Sequence, residues 1–189
     1  MAISSLTRRS FLVLSGAAAV SLAGFSLTGC GSEGDNDKAS ATDVDANVST
    51  ASKTQDEIKA EWTSFPAEPL KLYEDVPASE AEMPTVSVEE LHDLMESGDP
   101  YVLVDVNSAV MYEDGHIDTA VSYPWSPQGF TQDPELPRGV PMVFYCVCLN
   151  EEDSMHMGYS AVSEYAYRNI KLLKGGTPAW QEAGYGLVK

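Results

Sequence analysis

Positive charge is scarce in this chain: 11 lysines and arginines stand against 29 aspartates and glutamates in 189 residues. So acidic a surface argues against nucleic acid as a partner and against electrostatic docking on anionic lipid. It suits plain solubility, or a cationic or neutral partner. Long apolar runs are also missing. The longest candidate, Phe11 to Leu27, is broken by Ser15, Gly16, Ser21 and Gly24, and falls short of the ~20 apolar residues of a spanning helix. No internal repeat is present. Cysteine is rarest of all, at three residues, so thiol chemistry has few places to reside.

The first 30 residues read as a targeting segment. Thr7-Arg8-Arg9-Ser10-Phe11-Leu12 is a basic start carrying a twin arginine, and the broken apolar stretch follows it. This is the pattern of a cleaved signal. Leu27-Thr28-Gly29-Cys30 resembles the lipobox of bacterial lipoproteins, in which the cysteine is lipidated and becomes the new N-terminus. The arginine pair resembles a twin-arginine export signal, with an ordinary secretory signal as the plain alternative. Residues 31–54 are Ser, Thr, Asp, Asn, Gly and Ala with almost no large apolar side chain. Such a segment buries too little surface to offset its ordering entropy and is expected to be a flexible acidic tether. All the acids follow Cys30 and two arginines precede it, leaving nine basic residues against 29 acidic ones, a net charge of −20. The expected location is extracytoplasmic, lipid-anchored to the cell membrane.

Residues 55–84 read as an N-terminal extension. Ile58 and Trp62 share a helical face over Gln55 to Trp62. Pro66, Pro69 and Pro77 exclude a long helix beyond it, and Leu70 to Tyr73 is expected to be extended. Regular alternation starts at Thr85. Ser87-Val88-Glu89-Glu90 is a capping box opening a helix with Val88, Leu91, Leu94 and Met95 inward, closed by Gly98. Tyr101 to Val104 is a continuous apolar run before Asp105, as in a strand covered on both faces. A short helix, Gly115-His116-Ile117 and a brief strand at Ala120–Val121 follow. A Pro-rich loop from Pro124 to Pro141 leads to the strand Met142 to Tyr145. A helix is predicted from about Ser154 to Tyr167, with Met155, Tyr159, Val162 and Tyr165 or Ala166 inward. Ile170 to Leu173 is the last strand, and Gly175-Gly176-Thr177 turns into a helix bearing Trp180 that Gly184 ends. This alternation predicts an α/β fold, a parallel central sheet with helices on both faces, over residues 85–189.

Cys146 falls where the strand 142–145 stops and a polar loop begins; Cys148 follows, then Glu151, Glu152 and Asp153. Open α/β sheets place their sites at the carboxyl ends of strands. The loop leads into a helix N-terminus, where backbone N–H groups stabilise a thiolate or persulfide anion. A thiolate there attacks, carries sulfur, binds a soft metal or forms a disulfide. A buried, inert cysteine is the plain alternative. The acids oppose a second anion at the thiol, although Glu152 and Asp153 also suit the first turn of a solvated helix.

Several residues together resemble the rhodanese-like domain family. They are Asp105 ending an apolar strand, Gly115-His116-Ile117 followed by Ala120, Cys146 ending the central strand, and Lys174-Gly175-Gly176-Thr177-Pro178-Ala179-Trp180 with Gly184-Tyr185. The likeness spans about Thr85 to Lys189. The loop Tyr145-Cys146-Val147-Cys148-Leu149-Asn150-Glu151 resembles a subgroup reading Tyr-Cys-x-Cys-Pro-Asn-Glu, with Leu149 in place of the proline. The resemblance implies a rhodanese-like fold and a sulfurtransferase or persulfide carrier in which Cys146 accepts sulfur, with Cys148, Asn150 and Glu151 as accessory candidates. It implies no cofactor beyond a covalent persulfide on cysteine. The expected partners are a small sulfur donor and a thiol acceptor, or a partner protein, and the chain is expected to be monomeric. Asn107 and Met111 stand where many relatives have an Arg and a Glu. The acidic loop replaces one that often carries an Arg for an anionic donor, so thiosulfate suits it poorly.

Two other classes compete. One is a non-catalytic binding module on the same fold. The other is a thiol-redox or Cu(I)-handling lipoprotein using Cys146 and Cys148, for which Met155-His156-Met157 offers soft ligands. A metal site is not the expectation, because Met155 also fits a core stripe. His116 and Trp180 read as structural, while Tyr123, Trp125 and Phe130 are candidates to border the pocket.

Overall fold

Five short strands form one parallel sheet in the order β1-β5-β4-β2-β3. They are β1 Thr85–Val86, β2 Val102–Asp105, β3 Ala120–Ser122, β4 Met142–Tyr145 and β5 Ile170–Leu173. The computed structural model describes residues 52–189, all within one compact unit. The expected signal segment, Cys30 and most of the expected tether lie outside the described residues. Every residue of β2 and β4 is buried, as expected of uninterrupted apolar runs covered on both sides. β4 is central, with Val102, Leu103, Val104 and Asp105 of β2 opposite its Met142, Val143, Phe144 and Tyr145.

Alternation along the strands builds two cores. Val102, Val104, Met142, Phe144, Ile170 and Leu172 face one side, packed with Ile58 and with Met157, Ala161 and Val162. Leu103, Val143, Tyr145 and Leu173 face the other, with Leu91, Tyr112 and Trp180. The first layer is covered by α1 Gln55–Glu61 and α4 Glu152–Tyr165, the second by α2 Val88–Glu96, α3 Ala109–Asp114 and α5 Gly176–Glu182. Helices therefore cover both faces, as the sequence predicts. Among the described residues no helix is long and apolar enough to cross a membrane.

The predicted capping box is formed: Ser87 Oγ accepts from the Glu90 N–H at 3.1 Å, and the Glu90 carboxylate from the Ser87 N–H at 2.9 Å. α4 departs from its expected position. It starts at Glu152, and its buried face is Ser154, Met157, Gly158, Ser160, Ala161 and Val162, while Met155 and Tyr159 are half-buried at the margin. The cause is Glu151, whose left-handed backbone (φ 57°) lets the helix begin at the next residue. Small residues then face the sheet, and a Cβ on Gly158 would come within 3.2 Å of Leu172 and Met83.

The N-terminal extension is a fitted cover. Thr54, at the end of the expected tether, caps α1 with Glu57 as its capping-box partner. Trp62, Phe65 and Tyr73 pack against the α4-side core. The Gln55 side chain accepts from the Ser122 N–H at 2.9 Å, satisfying a donor on the edge strand β3. Leu70 to Tyr73, expected to be extended, forms no strand and bends at Leu72. Its N–H groups donate away from it, Leu70 to the Arg138 carbonyl and Leu72 to the Arg168 carbonyl.

Candidate functional site

Cys146 follows β4 directly, wholly buried at 0% exposure. The loop after it wraps its sulfur. Cys146 Sγ accepts from the Cys148 N–H at 3.3 Å, and Ser154 Oγ of α4 lies 3.9 Å away. The donor at the sulfur is thus a loop N–H, while the first-turn Ser154 hydroxyl of α4, which donates to the Glu151 carbonyl at 3.0 Å, accepts from the Cys146 thiol. The Cys146 carbonyl accepts from the Thr177 N–H at 2.9 Å and lies 3.4 Å from the Thr177 hydroxyl, which ties the strand end to α5.

Props from neighbouring strands hold the loop. The Val147 N–H donates to Asn107 Oδ1 at 2.8 Å, and the Asn107 N–H donates to Asp105 Oδ1 at 2.7 Å. Asn107 therefore has a structural task of its own in this chain, whereas Met111 is 41% exposed. Glu151 does not face the thiol. Its carboxylate accepts from the Gly175 N–H, clamping the loop to the turn before α5. Asn150 Nδ2 donates to the Glu152 carboxylate at 3.2 Å, and backbone N–H groups followed by that bond hold the Glu152 carboxyl below its ordinary range. Asp153 is the acid aimed at sulfur: the Cys148 thiol donates to Asp153 Oδ2 at 3.3 Å. Burial foremost, opposed by Asp153's backbone and reinforced by the neighbouring Cys146, pushes the Cys148 thiol up to about 12. Both thiols are free. Nothing in the composition of the loop distinguished the roles of the three acids, because each role depends on a partner set by the fold.

A cavity of about 260 Å³ lies beside the loop, bordered by Asn107, Met111, Asp114, Val147, Thr177 and Leu187. Asp114 is the one charged side chain in its lining, so the cavity offers an anion no counter-charge. A larger cavity, about 440 Å³, lies between the extension and the start of β2 and is lined by neither cysteine. Tyr123 and Phe130 border a separate cavity together with Met157, and Trp125 lies 6.1 Å from the His156 ring; the aromatic set does not line the space beside Val147. His116 is structural, bonded through Nδ1 to the Tyr112 carbonyl at 2.9 Å and stacked on that ring. Met157 is in the core, and His156 turns to Glu80 at 2.9 Å. The run Met155-His156-Met157 is therefore not gathered toward the thiols. Among the described residues no group of three or more His, Cys, Asp or Glu side chains is placed to hold a metal ion.

Beneath the site, Asp105 Oδ2 is buried with no hydrogen-bond partner among the described residues. Burial pushes its carboxyl up, against the pull of the Asn107 N–H. The folded state thus holds this proton more tightly than the unfolded chain, where Asp titrates near ~3.9. Its contribution to stability is full below that pH and is lost as pH rises through the raised value. Asp105→Asn keeps an oxygen for Asn107 and removes the charge. The variant's unfolding free energy minus that of the wild type is expected to grow more favourable from pH 4 upward, read from urea midpoints at several pH values. A difference independent of pH would contradict this.

A parallel sheet with a cysteine at the carboxyl end of its central strand, wrapped by the following loop, is the frame. The rhodanese-like domain family model matches residues 87–183. The chain belongs to the rhodanese-like domain family. The match includes β2 to α5 and the whole Cys146 loop. Solved structures similar to this rhodanese-like chain include the BH2092 protein of Bacillus halodurans, 21% identical, covering 56% of this chain and 77% of that one at a TM-score of 0.48. A rhodanese-related protein of Thermoplasma volcanium is 20% identical, covering 56% and 97%, at 0.45. A thiosulfate sulfurtransferase of Pseudomonas aeruginosa is 21% identical, covering 60% of this chain and 21% of that one, at 0.46. No curated protein matches the chain.

Proposed function

We propose that this rhodanese-like domain carries sulfur on Cys146 and passes it to a thiol acceptor. The observation that carries the reading is the placement of Cys146 Sγ at the end of β4, held by the Cys148 N–H inside the loop. A thiolate at Cys146 attacks the outer sulfur of a donor persulfide; the donor's S–S bond breaks and its thiolate leaves with the electron pair. An acceptor thiolate then takes the outer sulfur from Cys146 by the same exchange. Because the thiol is fully covered, the loop 147–150 must part to admit either reactant. The cavity beside Val147, with Asp114 as the single charge of its described lining, and Asp153, the acid that meets a loop thiol, favour a neutral or cationic sulfur compound over thiosulfate. The loop also keeps the Cys-x-Cys-x-Asn-Glu order of one rhodanese subgroup.

We propose in addition that residues 1–30 direct export and that lipidation of Cys30 anchors the domain outside the membrane through the segment 31–54. Intact mass of the full chain, purified from a bacterial membrane fraction, tests both parts. The expected species begins at a lipid-bearing Cys30. Sampled at once after mixing with a low-molecular-weight persulfide it carries one added sulfur that dithiothreitol removes, and thiosulfate loads it less. Cys146→Ser is expected to gain none. Failure to load from either donor overturns the sulfur reading, and an unprocessed or lipid-free chain overturns the anchor.

A further inference from the structure

The loop brings two thiols together and treats them differently. Cys146 is wholly buried, while Cys148 is half-buried. The Cys148 N–H rests on Cys146 Sγ at 3.3 Å, so the backbone that bears the second thiol is held against the first sulfur. The Cys148 thiol is itself held by Asp153 Oδ2 at 3.3 Å from the first turn of α4. Sulfur transfer by Cys146 alone uses the Cys148 N–H but requires neither the Cys148 thiol nor its contact with Asp153.

Resting on the sulfur-carrier reading above, we propose that Cys148 is a resolving thiol that discharges the Cys146 persulfide as hydrosulfide, with Asp153 as the residue that positions it. Cys148 Sγ attacks the inner sulfur, Cys146 Sγ. The Cys146–Cys148 S–S bond forms, and the bond from Cys146 Sγ to the outer sulfur breaks. The electron pair of that bond leaves with the outer sulfur. This sulfur, anionic in the persulfide, takes up the Cys148 proton and departs as HS⁻. Charge and protons balance, and the persulfide sulfur is reduced while the two cysteines are oxidised to a disulfide. An external thiol compound resets the site, two of its molecules becoming a disulfide as Cys146 and Cys148 return to thiols. Burial pushes the Cys148 thiol up, so it attacks as the thiolate formed when Asp153 Oδ2, 3.3 Å away, draws off its proton, which then passes to the leaving sulfur. The partial exposure of Cys148 gives the external thiol a sulfur to attack. The chain then acts as a persulfide reductase toward small persulfides, consuming thiol and releasing sulfide.

The test is a single turnover on the full chain. Protein is loaded with a low-molecular-weight persulfide, freed of donor, and followed by intact mass and sulfide release without added thiol. Release is expressed per loaded molecule for each variant. The wild type is expected to lose its adduct, release one sulfide and end two hydrogens lighter than the reduced protein. Cys148→Ser is expected to lose this release and keep the adduct until a thiol is added. Asp153→Asn is expected to slow release per loaded molecule and shift its pH profile, which a general loss of packing would not do. Loading followed by equal release from wild type and Cys148→Ser overturns this inference alone, as does a wild-type adduct that persists. Absence of loading in Cys148→Ser, with no sulfide released by the wild type, instead overturns the sulfur-carrier reading, and this inference with it.

Discussion

Gly176→Ala is expected to unfold more easily than the wild type by roughly 3 kcal/mol and to load sulfur on the order of 100-fold more slowly. Gly176 opens α5 with φ +54°, in the left-handed region that L side chains enter at a cost. The steric term is larger. A Cβ there would lie 2.0 Å from the Cys146 carbonyl oxygen and 3.1 Å from its carbon. Backbone faces backbone at this point, so no flexible side chain can yield. Either α5 retreats or the end of β4 shifts, and both moves break the Thr177 bonds to the Cys146 carbonyl. Gly98→Ala is the matched control. Gly98 also has a positive φ, +76°, but nothing lies within 4 Å of its Cβ position. Its cost is the conformational term alone, about 1 kcal/mol, with sulfur loading intact. Urea midpoints together with adduct formation separate the two variants; equal effects would show that the close approach at Cys146 is not what constrains Gly176.

Asn169→Ala is expected to destabilise the fold by about 2–4 kcal/mol, as loss of a buried donor leaves carbonyls unpaired. Asn169 is 1% exposed. Its side-chain amide nitrogen lies within hydrogen-bonding distance of the Pro137, Arg138 and Val140 carbonyls, while its backbone carbonyl accepts from the Met142 N–H at 2.8 Å. One side chain thus serves as the polar partner of a proline-rich segment that cannot pair as a strand. Tyr167 does similar work: its hydroxyl accepts from the Leu136 N–H at 2.9 Å and reaches Asp133 at 2.8 Å. The segment feeds directly into β4, so its position sets where β4 begins and where Cys146 falls. Hydrogen exchange is expected to quicken at the Val140 and Met142 amides in the variant. A urea midpoint within error of the wild type would mean that water replaces the lost donor.

The strands and the place of Cys146 were legible because their signals are local. Uninterrupted runs such as Tyr101 to Val104 and Met142 to Tyr145 have few alternatives once polar turns bound them, and Ser87 to Glu90 is a capping box whatever surrounds it. α4 was less legible. Its start depends on a left-handed Glu151, a conformation that residue type does not announce. Its buried face carries Ser154 beside Cys146, Gly158 against Leu172 of β5, and Met157 and Ala161, while Met155 and Tyr159 lie at the margin. A stripe reading weighs hydrophobicity and so selects the larger residues.

From its order of residues alone, this chain carries an α/β domain with a thiol at the end of a central parallel strand, because strand runs, caps and turns are written in neighbours. What the three acids do was decided by tertiary structure. Glu151 binds an N–H 24 residues away, Glu152 stays at the exposed start of α4 with Asn150, and Asp153 alone meets a thiol. A carboxylate's role follows from the donor it faces, and that donor is chosen when β4, α4 and the turn before α5 come together.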